Sequence, residues 1–140
     1  MSVVLVTGAS SGIGAAIATA FAESGWDVLA AGRDEARLEE VAEVSERIVT
    51  WAGELGASED CDELVADTLD EFGQIDCLVN NAATNVLFGP ALVIDEAAFD
   101  KVFEINVKAP FELSKLAQPH LAEAKGSVIN ISSIEGITPS

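Results

Sequence analysis

The chain has 140 residues, of which 49% are apolar and 22% are charged. This length and composition are typical of one globular domain and exclude an intrinsically disordered chain. Seven Lys and Arg residues against 24 Asp and Glu residues give a net charge of −17, which argues against nucleic acid or an anionic membrane surface as a partner.

The first predicted unit is a strand followed by a helix. The apolar, mostly β-branched run Val3–Val6 predicts a buried strand. Apolar residues at helical spacing follow, which places Ile13, Ile17 and Phe21 on one face of a predicted helix. We expect Gly25 to end that helix.

Two more units of the same kind come next. Strands are predicted over residues 28–31 and 48–51, each followed by a helix. We expect Asp34 and Ser58 to cap the amino ends of these helices and Gly73 to end the second one. The residues expected to face the core from the two helices are Leu38, Val41, Ala42, Cys61, Leu64, Val65, Leu69 and Phe72.

The last part of the chain has two predicted strands, residues 77–79 and 127–131, on either side of a long helix that begins near Asp95. The apolar residues of that helix include Phe99, Val102, Phe103 and Val107. Strands that alternate with helices at this spacing form βαβ units. The sequence therefore predicts an α/β fold: a Rossmann-like, doubly wound parallel sheet of strands β1–β5, in a single domain over residues 1–140.

A glycine-rich turn lies between the first predicted strand and the first helix. Its spacing is Gly-x-x-x-Gly-x-Gly. Gly8 allows the tight turn, Gly12 lets a pyrophosphate approach the backbone, and Gly14 lets the helix pack close to the sheet. The amino end of the helix then offers N–H groups to the phosphates, which predicts a dinucleotide site. The other residues of the turn placed in this site are Ser10, Ser11 and Ile13.

The end of the second predicted strand indicates which dinucleotide is bound. Many dinucleotide sites have an acid here to hold the ribose 2′-hydroxyl, whereas this chain has Gly32 followed by Arg33. Gly leaves room and Arg pairs with a 2′-phosphate, so NADP(H) is favoured over NAD(H). The alternative is a solvated helix start in which nearby arginines and acids pair with one another. These residues are Arg33, Arg37, Asp34 and Glu40.

Asparagines mark two further places. Residues 80–83, Asn-Asn-Ala-Ala, close the fourth predicted strand, where side-chain amides can tie strand ends together and shape the floor of a cofactor site. An Asn-rich turn is the alternative. Asn106 lies within the long helix, where Asn is unfavourable. Because Pro110 has no N–H to donate to the Asn106 carbonyl, we expect a bend that leaves this carbonyl free to hold a water.

These motifs, in this order and on these elements, resemble the short-chain dehydrogenase/reductase family over the whole chain. In that family the glycine-rich turn binds the cofactor pyrophosphate, which implies this role for Gly8, Gly12 and Gly14. The family's Asn-Asn-Ala-Gly signature matches residues 80–83, except that Ala replaces the last Gly. The match implies that Asn80 and Ala82 belong to the cofactor site.

The resemblance also assigns residues to the adenine and to catalysis. The family's Asp beside the adenine falls on Glu54, with Leu55 next to it, and both depart from the family pattern. The catalytic Asn falls on Asn106. The catalytic Ser falls on Ser133, with its neighbour Ser132 as the second choice, at the carboxyl end of the fifth predicted strand, where ligands of open α/β sheets bind.

The family's catalytic Tyr and Lys have no counterpart in this chain, which contains no Tyr. In the family mechanism that Tyr is the general acid/base, the Lys lowers its pKa, the Ser orients the substrate oxygen, and the Asn carbonyl holds a water. The resemblance implies an NADP(H)-dependent oxidoreductase that interconverts an alcohol and a ketone. We expect residues 1–140 to be its N-terminal cofactor-binding portion, with the C-terminal part of the fold absent, and to be inactive alone. A fifth strand left as a bare sheet edge is consistent with this.

Two other functions are compatible with the sequence: a non-catalytic nucleotide-binding module and an assembly subunit. The resemblance implies a small carbonyl or alcohol substrate. It also implies a homo-oligomer, because the family commonly assembles through its long fourth helix, here within residues 99–121. The alternative is that the apolar residues of this helix belong to an ordinary core.

The remaining features concern compartment and salt. Cys61 and Cys77 have no metal-ligand spacing, so we interpret them as reduced core residues. The single histidine, His120, gives no metal site, and no signal peptide or membrane span is recognised, so we expect a cytoplasmic protein. The acidity of the chain fits either an ordinary acidic enzyme or a high-salt host.

Overall fold

The computed structural model describes residues 1–86 and 88–138. The strands are β1 (Val3–Val6), β2 (Asp27–Gly32), β3 (Ile48–Ala52), β4 (Cys77–Asn80) and β5 (Ser127–Asn130). The α-helices are α1 (Gly12–Glu23), α2 (Glu35–Ala42), α3 (Ser58–Phe72), α4 (Glu96–Phe103) and α5 (Ala109–Ala124). A π-helical turn, Glu104–Lys108, joins α4 to α5, and 3₁₀ turns lie at Ala91–Val93 and Ile134–Gly136.

The described strands form one parallel sheet in the order β3-β2-β1-β4-β5. The chain winds outward from β1 to β3 and then crosses back to β4 on the other side of β1. The carboxyl ends of β1 and β4 therefore flank the point where the winding direction reverses, which is where open α/β sheets bind their ligands. The predicted Rossmann-like, doubly wound sheet is confirmed.

Each face of the sheet has its own apolar core. Because side chains alternate along a strand, Val4 and Val6 of β1 pack toward α1 and α2, while Leu5 packs toward α3 and α5. All four residues of β1 are buried, as expected for a central strand covered by helices on both faces.

The buried face of α1 differs from the prediction. The residues that contact the sheet are the small ones, Gly14, Ala18 and Ala22. Ile13 is 62% exposed, and Ile17 and Phe21 are half-buried. Small side chains let the helix axis approach the sheet closely, so the larger apolar residues are displaced to the sides of the helix.

The predicted helix ends are partly confirmed. The Asp34 carboxylate accepts a hydrogen bond from the Arg37 N–H at 3.1 Å, and Gly73 ends α3 in the left-handed conformation. Ser58 as the cap of α3 is wrong: it is the first helical residue, and the cap position belongs to Ala57. The Asp60 carboxylate accepts the Ala57 N–H at 3.0 Å, which is the bond that the third helical residue makes in a capping box.

The apolar residues of the long helical segment from α4 to α5 divide between the core and the surface. The buried residues from Ile105 onward are Ile105, Ala109, Leu113, Ala117 and Leu121. Phe99, Phe103 and Val107 are instead 53%, 49% and 55% exposed. At the far side of the sheet, the side chains of edge strand β5 are exposed as well. Two apolar surfaces are thus open, one on the long helix and one along β5.

Candidate cofactor-binding cleft

A cleft of about 330 Å³ lies at the carboxyl ends of β1, β2, β3 and β4. The predicted cofactor residues that line it are Gly8, Ser10, Ser11, Ile13, Arg33, Glu54, Leu55 and Ala82. Asn81, from the predicted motif at residues 80–83, also lines the cleft, as do Thr84, Lys101 and Ile105, which belong to no predicted site. The topology thus brings together segments from the glycine-rich turn, β2, the loop after β3, the loop after β4, and α4.

The glycine-rich turn has the geometry that its spacing predicts. Gly8 and Gly12 have φ angles of 65° and 56°, a region that side chains other than glycine rarely adopt. A Cβ on Gly14 would overlap the Gly8 carbonyl and crowd the Asn81 amide. Gly12 and Gly14 do not line the cleft; they shape the turn that carries Gly8, Ser10 and Ser11 into it.

The amino end of α1 is open to an anion. Its N-cap residue, Ser11, makes no side-chain capping bond, and its first turn contains no acid. The first turns of the other described α-helices contain Glu35, Glu59, Asp60, Glu96 and Glu112. In a chain with 24 acids, this helix end therefore keeps its N–H groups and its partial positive charge available.

A buried hydroxyl joins the glycine-rich turn to the loop after β4. Thr7 is 2% exposed, and its Oγ1 accepts hydrogen bonds from the N–H groups of Asn81 (3.1 Å) and Ala82 (3.0 Å). The same hydroxyl donates to the Val79 carbonyl at 3.3 Å. The Asn81 amide donates to the carbonyls of Thr7 and Gly8, both at 3.1 Å. This Thr7–Asn81 latch fixes the cleft floor.

Asn80 has a different place from its neighbour Asn81. It is 5% exposed and does not line the cleft. Its Nδ2 donates to Asn130 Oδ1 at 2.9 Å and to Ser114 Oγ at 3.3 Å, which ties β4 to β5 and α5. Its Oδ1 is buried without a partner among the described residues. Of the two asparagines, Asn81 touches the cleft and Asn80 supports the sheet behind it.

At the end of β2, Gly32 and Arg33 both line the cleft. Gly32 lies against Ser10, whose Cβ would be 3.1 Å from any Cβ added at Gly32, so the position has little room for an acid. Arg37 pairs with Asp34 at 3.5 Å, as expected if the start of α2 is a solvated helix end whose arginines and acids pair with one another. Arg33 lines the cleft and has no ion-pair partner in the described part of the chain.

The outer wall of the cleft comes from the loop after β3, from α4 and from the π-helical turn that follows α4. Leu55 and Ile105 are 8% and 9% exposed and form its apolar part. Glu54 lies beside them, and its carboxylate pairs with Lys101 Nζ on α4 at 3.5 Å. The two partners are 47 residues apart in sequence, so only the tertiary fold reveals the pair.

The two predicted catalytic residues lie outside the lining of the cleft. The Asn106 side chain clamps the loop after β4, because its Oδ1 accepts the Thr84 N–H at 2.7 Å and its Nδ2 donates to the Thr84 carbonyl at 2.9 Å. Instead of the expected simple bend, the backbone forms a π-helical turn, in which the Ala109 N–H reaches the Glu104 carbonyl. Ser133 follows β5, is exposed, and accepts the Glu135 N–H at 3.2 Å.

The cysteines have no place in the cleft. Both are buried and unpaired, which agrees with their prediction as reduced core residues. Burial, together with the carboxylates of Glu112, Asp60 and Asp62, raises the pKa of the Cys61 thiol to about 11. Burial and Asp76 raise the pKa of Cys77 as well. Such thiols stay protonated and unreactive at neutral pH.

The described part of the chain also bears on metal and membrane sites. It contains no group of three or more His, Cys, Asp or Glu side chains placed to hold a metal ion. None of its helices is long and apolar enough to span a membrane.

The fold is of the Rossmann class, with a cleft at the edge of the sheet where such folds bind ligands, and comparison with known proteins specifies the family. The family model for short chain dehydrogenases matches residues 2–140. The chain belongs to the short-chain dehydrogenase/reductase family, whose members are oxidoreductases that use nicotinamide cofactors.

Individual relatives are similar over almost all of this chain. It is 40% identical to mouse L-fucose dehydrogenase, over 96% of this chain and 49% of that protein. A metagenomic short-chain oxidoreductase in complex with NADP superposes with a TM-score of 0.92 at 35% identity, over 99% of this chain and 65% of that one. The 3-ketoacyl-(acyl-carrier-protein) reductase of Brucella melitensis, complexed with NADH, gives a TM-score of 0.92 at 32% identity, covering 99% and 60%. The chain spans about half the length of the curated relatives it matches.

Proposed function

We propose that this chain binds NADP(H) in the cleft and is the cofactor-binding portion of an oxidoreductase that interconverts an alcohol and a ketone. The observation that carries the proposal is the closed glycine-rich turn: Gly14 leaves no space for a side chain against Gly8, and the open amino end of α1 begins within the turn. The turn can therefore cradle a pyrophosphate with backbone N–H groups. Residues 1–140 act as one domain in this proposal.

The preference for NADP(H) rests on the end of β2. An acid that would bind the 2′-hydroxyl of NAD(H) is absent, and Ser10 crowds the position where its side chain would begin. Arg33 lines the cleft without an ion-pair partner among the described residues, so its guanidinium can form charge-assisted hydrogen bonds to a 2′-phosphate. Ser10, Ser11 and Ile13 would contact the same end of the cofactor.

When bound, the cofactor supplies or accepts the hydride. The chain's own residues would hold it in place: Gly8 at the pyrophosphate, in the turn that Gly12 and Gly14 shape, and Leu55 and Ala82 along the cleft, beside the Glu54–Lys101 pair. Asn80 would support this floor from behind through its amide bonds to β5 and α5. In our proposal Ser133 orients the substrate oxygen, and the Asn106 carbonyl holds a water for the proton relay.

The proton donor is the part of the mechanism that these residues do not supply. The sequence has no Tyr, and His120 lies on α5 outside the lining of the cleft. We therefore propose that residues 1–140 alone bind cofactor but do not turn over substrate. A measurable NADPH-dependent ketone reduction by the 140-residue chain would contradict this.

The proposed assembly and location rest on separate observations. Phe99 and Phe103 stack with their ring centroids 4.7 Å apart while half-exposed, and Val107 and Phe111 continue this surface at four-residue spacing. Burying these side chains against a second copy would form a homo-oligomer through the long helix. Two buried, unpaired thiols favour a reducing, cytoplasmic location.

The experiment that tests the cofactor proposal compares Arg33 with Arg37. Isothermal titration with NADPH and NADH should show that Arg33→Gln weakens NADPH binding about tenfold, the value of a lost charged hydrogen bond, and leaves NADH binding within about twofold. Arg37→Gln is the matched control, because Arg37 pairs with Asp34 and does not line the cleft. Equal losses for both cofactors, or an equal effect of the control, would contradict the assignment of Arg33 to the 2′-phosphate.

A further inference from the structure

The charges around the cleft are unlike those of the chain as a whole. Two of the seven Lys and Arg residues, Arg33 and Lys101, line the cleft. Of the 24 acids, Glu54 is the one that lines it within the described residues. The formal charge at the cleft wall is therefore positive, on a chain with a net charge of −17.

Lys101 is the residue that makes this balance positive. It projects from α4 toward the loop after β3, and its Nζ lies 3.5 Å from Glu54 Oε2. The loop also contains Gly56, where an added Cβ would be 3.6 Å from Lys101 Nζ and 3.7 Å from Glu104 Oε2. Lys101 thus lies in a region with two carboxylates and contacts the one that lines the cleft.

Folding stability does not account for this pair. The Glu54 side chain is 60% exposed and that of Lys101 is 36% exposed, and ion pairs this accessible to water contribute little to folding. The position of the pair matters more, because a carboxylate at the wall of a small cleft repels a polyanionic dinucleotide as it enters and while it is bound.

We propose that Lys101 is a positioning residue for the cofactor: it neutralises Glu54, so that the outer wall of the cleft does not repel the phosphates. This inference rests on the proposed binding of NADP(H). In this role Lys101 does not contact a phosphate. It acts through Glu54: the charges of Lys101 and Glu54 cancel, and the positive charge of Arg33 remains as the net charge of the cleft wall.

The test is NADPH binding to Lys101→Met at two ionic strengths. We expect the dissociation constant to rise about fivefold to tenfold at about 20 mM salt, where charges interact over long distances, and by less than about twofold at about 500 mM. The double variant Glu54→Gln/Lys101→Met should return binding to within about twofold of wild type at low salt, since neither charge is then present. A double variant that binds as weakly as Lys101→Met would overturn the proposal, because Lys101 would then contact the cofactor directly.

Two controls separate neutralisation from other effects. Lys115→Met removes the same charge from an exposed position on α5 outside the cleft lining, and should leave NADPH binding unchanged. Adenosine, an uncharged probe, should bind wild type and Lys101→Met equally in ligand-observed NMR. Weaker adenosine binding to Lys101→Met would overturn the proposal by showing a packing role.

The outcomes also distinguish this proposal from the one on which it rests. If wild type fails to bind NADPH, the proposed function is wrong and this inference falls with it. If wild type binds NADPH and Lys101→Met binds equally well at low salt, the proposed function stands and the role of Lys101 is overturned.

Discussion

Replacing Thr7 by Val should destabilise the protein more than its small change in shape suggests. The side chain is 2% exposed, so Val fits the same space. The hydroxyl, however, accepts from two backbone N–H groups at 3.1 and 3.0 Å and donates to the Val79 carbonyl at 3.3 Å. Val can make none of these bonds, and the N–H groups of Asn81 and Ala82 lose an acceptor.

The size of the effect follows from the partners left behind. A buried donor without an acceptor costs about 1–3 kcal/mol, and both amides here are only half-buried, so we expect a total loss of about 2–4 kcal/mol. Thr7→Ser is the matched control, because it keeps the hydroxyl and removes one buried methyl group, at a cost of about 1 kcal/mol.

Urea unfolding measures both variants. At the m-values typical of small domains, Thr7→Val should lower the unfolding midpoint by roughly 1–2 M and Thr7→Ser by roughly half a molar. The latch also holds the cleft floor, so Thr7→Val should weaken NADPH binding in addition. A Thr7→Ser variant less stable than Thr7→Val would refute the reasoning, since packing and not hydrogen bonding would then dominate.

Three further predictions concern other parts of the molecule. Gly14→Ala should abolish saturable NADPH binding and lower the thermal midpoint, because its Cβ overlaps the turn; an unchanged titration would show that the turn is not closed. Asn106→Ala loses both bonds to Thr84, so limited proteolysis should cleave this variant next to Thr84 faster than Asn106→Gln; equal cleavage rates would show that the clamp is dispensable. For Cys61, the folded pKa of about 11 lies above the unfolded value of 9.0, so the free energy of unfolding should fall as pH rises between these values. A Cys61→Ala variant with the same alkaline loss would place its cause elsewhere.

The sequence predicted well what depends on neighbouring residues. The strand before the glycine-rich turn, the capping carboxylate of Asp34 and the left-handed Gly73 each follow from a short segment and its backbone preferences. The order of alternating strands and helices then restricted the topology to a doubly wound sheet. The sequence therefore predicts that the motifs lie at the carboxyl edge of the sheet.

Features set by distant partners could not be predicted in this way. Asn80 and Asn81 are adjacent and chemically identical, yet one side chain bonds to Asn130 and Ser114 while the other bonds to Thr7 and Gly8. Which one enters the cleft depends on the strand register and on helices that follow much later in the chain.

The same limit applies to α1 and to Lys101. Helical periodicity identified an apolar face through Ile13, but the close approach of the helix to the sheet selected the face with Gly14 and Ala18. Lys101 has no local signal, because its partner Glu54 lies in another unit of the fold. The scarcity of cations, seven in the chain, is the feature of the sequence that sets Lys101 apart.

The central claim, that this cleft binds a nicotinamide dinucleotide, is tested most directly by titrating the protein with NADPH and following tryptophan fluorescence. The Trp51 ring lies against Gly53, which lines the cleft, whereas Trp26 packs on Phe21 in the other core. We predict saturable energy transfer from tryptophan to the reduced nicotinamide at one site per chain, weakened more by Trp51→Phe than by Trp26→Phe. No saturable signal with NADPH or NADH up to about 1 mM, a concentration that corresponds to about 4 kcal/mol of binding free energy, would contradict the account.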